Sequence, residues 1–91
     1  MVLGKTLIHG VYVLCYLSRQ ERGTVVSSEA VAQAVGVPAE HARKILQSLG
    51  SAGLVASVRG RAGGFLLSRE LEQVSVLEVL EAVSPPVAQD D

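Results

Sequence analysis

The sequence predicts a mainly α-helical fold with one small β-hairpin, in the order helix, helix, turn, helix, hairpin, helix. Three observations predict it: apolar residues recur at helical spacing in three segments, serine, glycine and proline stand where these segments begin or end, and two short apolar runs flank a glycine-rich tip between 53 and 67. A chain of 91 residues with 48% hydrophobic content has room for one core and no second domain.

The first helix is predicted from about Leu3 to Leu17. At 100° per residue its core face consists of Leu3, Leu7, Val11, Leu14 and Cys15. A half-polar strip lies opposite and contains Lys5, His9, Tyr12 and Tyr16. The charged segment 19–23, RQERG, separates this helix from the next.

Local signals bound the second and third helices. Either Ser27 or Ser28 can cap a second helix that runs to Val35, and Gly36 follows at the position of a left-handed C-cap. Pro38 is suited to the first turn of a third helix, which is predicted to extend to about Ser51. The small, glycine and apolar residues of a helix-turn-helix follow at the required spacing, at Ala32, Gly36, Val37, Ala42 and Ile45.

The hairpin is predicted from two β-type runs, Leu54 to Val58 and Phe65 to Leu67, around a tip at 59–64 that holds two arginines and three glycines. Glycine lets the backbone approach another surface closely, and the arginines supply charge with nothing bulky beside them. Directly after a helix-turn-helix, such a hairpin is the wing of a winged helix-turn-helix. A phosphate-cradling loop is a poorer interpretation, because the tip precedes a strand and lacks the Lys-Ser/Thr ending.

Ser75 and Glu78 form the pattern of a capping box before a fourth helix, Val76 to Val83. Ser84-Pro85-Pro86 should stop that helix, so the sequence predicts a domain over 1–83 and a flexible tail over 84–91.

The net charge of −1 hides an uneven distribution. Between 38 and 69 five bases stand against one acid, a local net charge of +4, whereas 70–91 holds six acids and no base. A dipolar domain of this kind can present a basic face to phosphates, although a merely solvated charged face is the alternative.

The candidate DNA-binding residues lie on the third helix, on the hairpin tip and at the start of the second helix. On the third helix Arg43 suits guanine, Gln47 adenine and Glu40 cytosine, while Lys44 suits a phosphate. The full set of candidates is Ser28, Glu40, His41, Arg43, Lys44, Gln47, Arg59, Gly60 and Arg61. Arginines beside glycines are suited to a narrow minor groove. The alternative for each helix residue is an exposed side chain without a role.

Other functions have little support in the sequence. Cys15 is the only cysteine, so no intramolecular disulfide or multi-cysteine metal site can form within the chain, and a reducing compartment is expected. The apolar run 7–17 is shorter than the ~20 residues of a membrane span and lacks a cleavage-site pattern, so the cytoplasm is preferred to secretion. His9 and His41 fall on different helices with no third ligand, and no catalytic arrangement is visible. We expect neither an enzyme, nor a metal, nor a cofactor.

Three segments, SSEAVAQAVGVP, HARKILQSLGSAGLVASVRGRAGGFLLSR and VSVLEVLEAV, resemble the winged helix-turn-helix of the bacterial IscR/CymR/NsrR family of transcription regulators. The resemblance implies homodimers on double-stranded DNA, with the third helix (about 38–51) in the major groove and the wing (59–64) at the minor groove. It carries over Arg43 and Lys44 as helix contacts, and Arg59, Gly60 and Arg61 as wing contacts.

The sequence departs from the family pattern at two places. Arg61 and Ala62 stand where the commoner wing has Pro-Gly. The three-cysteine loop and the long dimerisation helix that sensing members carry are not seen, so the chain is either a truncation or a short member, and cluster binding is not carried over. Any homodimer should then be weak and use the strip of His9, Tyr12, Val13 and Tyr16.

These observations predict a sequence-specific DNA-binding transcription regulator, with the operator, the signal and the choice between repressor and activator left open. One rival is a winged-helix module that binds another protein through the hairpin and the tyrosine strip, without binding DNA. A second rival is a small enzyme or nucleotide binder.

Overall fold

The computed structural model describes the backbone of residues 3–83 and the side chains of residues 5–83. The helices are α1 (Leu3–Ser18), α2 (Ser28–Val35), α3 (Ala39–Ser51) and α4 (Val76–Val83), and the strands β1 (Val55–Val58) and β2 (Gly64–Leu67) form an antiparallel hairpin. The predicted fold class and element order are confirmed, with an additional short 3₁₀ helix at Leu71–Gln73. The predicted tail, 84–91, lies outside the described residues.

One apolar core joins the elements. Its members come from the four helices, from the start of β1 with the residue before it, and from the segment before α2. They are Val13, Leu14, Leu17, Val26, Val31, Ile45, Leu46, Leu49, Leu54, Val55 and Val79. Among the described residues no polar or charged side chain is fully buried. The core therefore positions the surface elements by packing alone.

The core-facing side of α1 differs from the predicted one. Its fully buried residues are Gly10, Val13, Leu14 and Leu17, whereas Leu7 and Val11 are only partly buried and Cys15 is half-buried. Leu14 is thus the one described member of the predicted face that is fully buried, and the side chain of Leu3 lies outside the described residues. The buried face of α1 is rotated from the predicted face because α4 packs on α1 at Gly10. A Cβ added there would lie 3.3 Å from methyl groups of Val79 and Val83.

This rotation corrects the predicted dimer strip. Val13 was expected on the surface, but it is completely buried and cannot contact a second chain. Tyr16 packs against the core, while Tyr12 is 55% exposed. Ile8, which was not predicted for this strip, is 49% exposed on the same side of α1.

The ends of α2 and the start of α3 follow the predicted chemistry with one shift. Ser27, not Ser28, is the N-cap of α2, and its Oγ accepts a hydrogen bond from the N–H of Ala30. Gly36 adopts the left-handed conformation (φ 85°), and its N–H donates to the carbonyl of Ala32. Pro38 precedes α3 as its N-cap residue instead of lying in its first turn.

The hairpin is fastened to the segment before α2. Val26 and Phe65 exchange two backbone hydrogen bonds, of 2.9 Å and 2.8 Å, so Val26 adds a single bridge to the edge of β2. A Cβ on Gly64 would overlap the carbonyl of Val26, which is why glycine is required beside this bridge. The wing is therefore anchored to the helix-turn-helix, a contact that spacing in the sequence did not predict.

The capping box of α4 is confirmed. The N–H of Ser75 donates to Glu78 Oε1 at 2.9 Å, and the N–H of Glu78 donates to Ser75 Oγ at 3.1 Å.

No helix within residues 3–83 is both long and apolar enough to cross a membrane.

Candidate nucleic-acid interface

The outward side of α3 carries four of the candidate residues. Glu40, Arg43, Lys44 and Gln47 are all exposed. They lie opposite the buried residues of the same helix, Ala42, Ile45, Leu46 and Leu49. Because the core fixes the buried side, these four side chains share one solvent-facing surface, which we call the α3 face.

Arg43 has an acidic neighbour on α2. Its guanidinium lies 3.8 Å from Glu29 Oε2, and both side chains are largely exposed. The hydroxyl of Ser28, half-buried at the start of α2, points toward the same carboxylate at 3.5 Å. An exposed pair at this distance is weak, worth about 0–1 kcal/mol, so Arg43 can leave Glu29 for a base or a phosphate. Sequence reasoning missed Glu29, since the packing of α2 on α3 brings it there.

His41 differs from the other candidates on α3. It is half-buried, and its Nε2 atom lies 3.1 Å from Nδ1 of His9 on α1, with the two rings at 78°. The structure therefore places His41 at the contact between α1 and α3 and not with the α3 face. The sequence interpretation left the two histidines apart. Helix spacing could not reveal a contact between residues 32 positions apart.

The tip of the hairpin presents its cations to solvent. Arg59, Gly60 and Arg61 are exposed, and Gly60 has a φ of 108°, which a side chain rarely adopts. The N–H of Gly63 donates to the carbonyl of Gly60 at 3.0 Å and closes the turn. Among the side chains of residues 5–83, no ion pair involves Arg59, Arg61 or Lys44. These three charges are available to an external anion.

A groove of about 550 Å³ lies between α3 and the strands of the hairpin. Its walls come from the second half of α3 and from the hairpin, and its lining includes Gln47, Ser51, Ser57 and Phe65. Gln47 of the α3 face thus borders the same groove as the hairpin strands that carry the tip.

Arg69 is not part of this cationic surface. Its guanidinium donates to Glu78 Oε2 and to the carbonyl of Gln73, both at 2.7 Å. The hydrogen bond from Arg69, followed by that from the Ser75 N–H, holds the pKa of the Glu78 carboxyl below its ordinary value of 4.5. Arg69, one of the five bases counted between 38 and 69, is therefore engaged in the connection into α4.

An exposed face on the second helix of a helix-turn-helix, followed by an anchored glycine-rich wing, defines a winged helix-turn-helix domain of the kind found in transcription regulators. Comparison with known proteins agrees. The chain belongs to the Rrf2 family, whose model, described as an iron-dependent transcriptional regulator, matches residues 3–90. This is a family of regulators and not of enzymes, in agreement with the sequence interpretation.

Similar proteins are bacterial regulators. YffB of Lactococcus lactis, named an HTH-type transcriptional regulator, is 38% identical over 73 residues, which are 80% of this chain and 47% of that protein. Rv1287 of Mycobacterium tuberculosis, also named an HTH-type transcriptional regulator, is 35% identical over 80 residues, 88% of this chain and 50% of that one. The chain thus spans about half the length of these curated relatives.

Solved structures share the fold. IscR of T. potens superposes with a TM-score of 0.80 at 26% identity, covering 93% of this chain and 62% of that one. CymR of B. subtilis superposes with a TM-score of 0.82 at 20% identity, covering all of this chain and 70% of that one. The second likeness supports the fold alone.

The residues of this chain do not fit the iron group that the family description implies. The sequence holds one cysteine, Cys15, which is half-buried on α1. Within the described residues no three side chains of histidine, cysteine, aspartate or glutamate come together in a way that could hold a metal ion. No step of the proposed function therefore depends on iron.

Proposed function

We propose that this chain is the DNA-binding part of a sequence-specific transcription regulator, with α3 in the major groove and the wing at the minor groove of double-stranded DNA. The observation that carries the proposal is the pair of exposed arginines, Arg59 and Arg61, on a tight glycine turn at the end of a hairpin whose strands share a groove with Gln47 of the α3 face. A two-stranded hairpin has no structural need for these charges, whereas a narrow minor groove attracts guanidinium groups.

The roles proposed for the side chains follow from their placement. Arg43 and Gln47 are the base-reading candidates, since both are exposed on α3 and suit guanine and adenine respectively. Glu40 is placed to accept from cytosine, and Lys44 is a phosphate contact. Ser28 lies at the N-terminus of α2, where hydroxyl and backbone N–H groups suit a phosphate.

The wing is proposed to add affinity with little base reading. Arg59 and Arg61 reach the minor groove or its phosphates, and the positive φ of Gly60 gives the tip its tight turn. Because Arg61 replaces the proline of the commoner family wing, this tip carries one cation more than that pattern.

The test is selection of a preferred duplex from a random pool, followed by fluorescence anisotropy on the selected and on a scrambled duplex at two salt concentrations. We expect tighter binding to the selected duplex and a steep loss of affinity with salt. Equal affinity for both duplexes, or affinity that ignores salt, would contradict the proposal. Capture of another protein with no binding to DNA would favour the winged-helix interaction module instead.

We infer weak self-association through the outer side of α1, because Ile8 and Tyr12 are exposed apolar residues one helical turn apart. His9 and Tyr16 border this surface, and Val13 is excluded from it. Sedimentation of the parent and of Tyr12→Glu at micromolar concentration tests this self-association, and a tight dimer in both would contradict it.

A regulator of bacterial transcription acts in the cytoplasm, which is the compartment we propose.

A further inference from the structure

The contact between His9 and His41 joins the middle of α1 to the first turn of α3. The nitrogen atoms are 3.1 Å apart and the ring centroids 5.2 Å apart, in an edge-on arrangement. These are the only two histidines in the sequence. Any effect of imidazole chemistry within this chain therefore originates at these two side chains.

Within the described residues, the first turn of α3 packs on the core through Ala42 but has no side-chain cap at its N-terminus. The N-cap residue of α3 is Pro38, which makes no side-chain capping hydrogen bond, whereas Ser27 caps α2 and Ser75 caps α4. Capping groups normally satisfy and orient the first N–H groups of a helix. Among the described residues, the histidine pair is thus the side-chain hydrogen bond that ties the beginning of α3 to α1.

We propose that His9 is a positioning residue for DNA recognition, which holds His41 and with it the first turn of α3 against α1. The inference rests on the function proposed above. It assigns His41 to the support of α3 instead of base reading, and it explains why His41 is half-buried while Glu40 and Lys44 beside it are exposed.

The hydrogen bond depends on protonation. One imidazole must donate an N–H while the other accepts through a bare nitrogen, so the bond forms when at least one ring is neutral and is lost when both rings are cationic. Two cationic rings at this distance also repel. Acid should therefore release His41 and loosen the first turn of α3.

The other charged groups on the elements around the pair are carboxylates, lysines and arginines. On the described parts of α1 to α4 and the 3₁₀ helix, they are Lys5, Glu29, Glu40, Arg43, Lys44, Glu72, Glu78 and Glu81. The strands packed on these helices carry no charged side chain. Carboxyl, lysine and arginine groups ordinarily titrate outside the interval from about pH 5.5 to about pH 8, where imidazole titrates.

The test compares discrimination, defined as the ratio of the Kd for a scrambled duplex to the Kd for the selected duplex, at about pH 8 and about pH 5.5. The ratio is used because extra positive charge in acid tightens binding to both duplexes. We expect the parent to lose about two- to tenfold in discrimination on acidification, the range that one hydrogen bond is worth. His9→Phe should show the lower ratio at both pH values.

His41→Gln is the matched rescue variant. A glutamine amide both donates and accepts, so it can bond His9 whether that ring is neutral or protonated. We expect this variant to keep, at both pH values, the discrimination that the parent shows at about pH 8. If His41 instead reads a base, His9→Phe will discriminate like the parent and His41→Gln will prefer a different duplex, which would overturn the proposal.

Two further results distinguish a failure of the His9–His41 contact from a failure of DNA binding or of folding. If the parent binds no duplex at all, the proposed function fails before the histidines are tested. If His9→Phe does not fold, the nitrogen chemical shifts of the two imidazoles in the parent decide. One protonated and one bare nitrogen facing each other at about pH 8 support the bond, and the absence of that pattern overturns it.

Discussion

The salt dependence of DNA binding offers a quantitative test of which cations form the interface. Removing Arg59 and Arg61 together, as Arg59→Ala/Arg61→Ala, deletes the charge of the wing tip and leaves α3 unchanged. Both side chains are exposed and make no ion pair within residues 5–83, so the thermal stability of the domain should change little.

The expected slope of log K against log[salt] follows from the number of cations that are free to contact DNA. Between 38 and 69 there are five bases, but Arg69 is bonded to Glu78 and Gln73, which leaves Arg43, Lys44 and the two wing arginines. If each neutralises one phosphate, log K should fall with log[salt] at a slope of about −3.6, because each phosphate contributes ~0.9. The double variant should have a slope of about −1.8.

The assay is fluorescence anisotropy on one duplex from about 50 to about 200 mM salt, over which affinity should fall roughly 150-fold for the parent and roughly 12-fold for the double variant. Arg22→Ala is the matched control. Its guanidinium pairs with Glu70 at 2.8 Å, beyond the end of β2 that is far from the tip. An unchanged slope in the double variant, or an equal loss in Arg22→Ala, would refute the assignment of the wing to DNA.

Three other predictions concern the anchoring of the wing, the capping of α4 and the binding of an iron–sulfur cluster. Gly64→Ala should destabilise the domain by about 1–3 kcal/mol in thermal or urea unfolding, because its Cβ would overlap the Val26 carbonyl, whereas Gly50→Ala, with ordinary contacts on α3, should not; equal effects would contradict the anchoring of the wing. Glu78→Gln should lower the Tm at neutral pH and reduce the loss of stability below about pH 4.5, because the depressed pKa of Glu78 stabilises the fold above that pH and the stabilisation disappears as the carboxylate is protonated; parallel Tm profiles would contradict it. Anaerobic reconstitution of this chain with iron and sulfide should give no cluster absorbance, since it holds a single cysteine, and a stable visible band would overturn that expectation.

Features set by neighbouring residues could be predicted from the sequence. The structure has α4 over Val76–Val83, as the capping box predicted, and Gly36 is left-handed as its position after Val35 suggested. Both strands end where they were predicted to end, but β1 begins one residue later, at Val55, and β2 one residue earlier, at Gly64. In each case the determining hydrogen bonds or backbone angles lie within a few residues of the signal.

The orientation of α1 could not be predicted in the same way. This helix is apolar on more than one side, so periodicity alone did not distinguish Val11 from Val13 as the core residue. The deciding contact is the approach of α4 to Gly10, a residue outside the predicted core face. Packing partners distant in the chain select among faces that local spacing leaves equivalent.

The distribution of charge in the interface also depends on contacts between residues distant in the sequence. It predicts different roles in DNA binding for α3 and for the wing. Glu29 offsets Arg43 on α3, while the wing arginines face solvent without acidic partners in the described structure. An arginine held by a carboxylate gains less from any phosphate, since it must give up that partner, so its net gain is larger where a base offers a bidentate match. The wing should therefore supply most of the affinity that is independent of sequence, and α3 most of the discrimination.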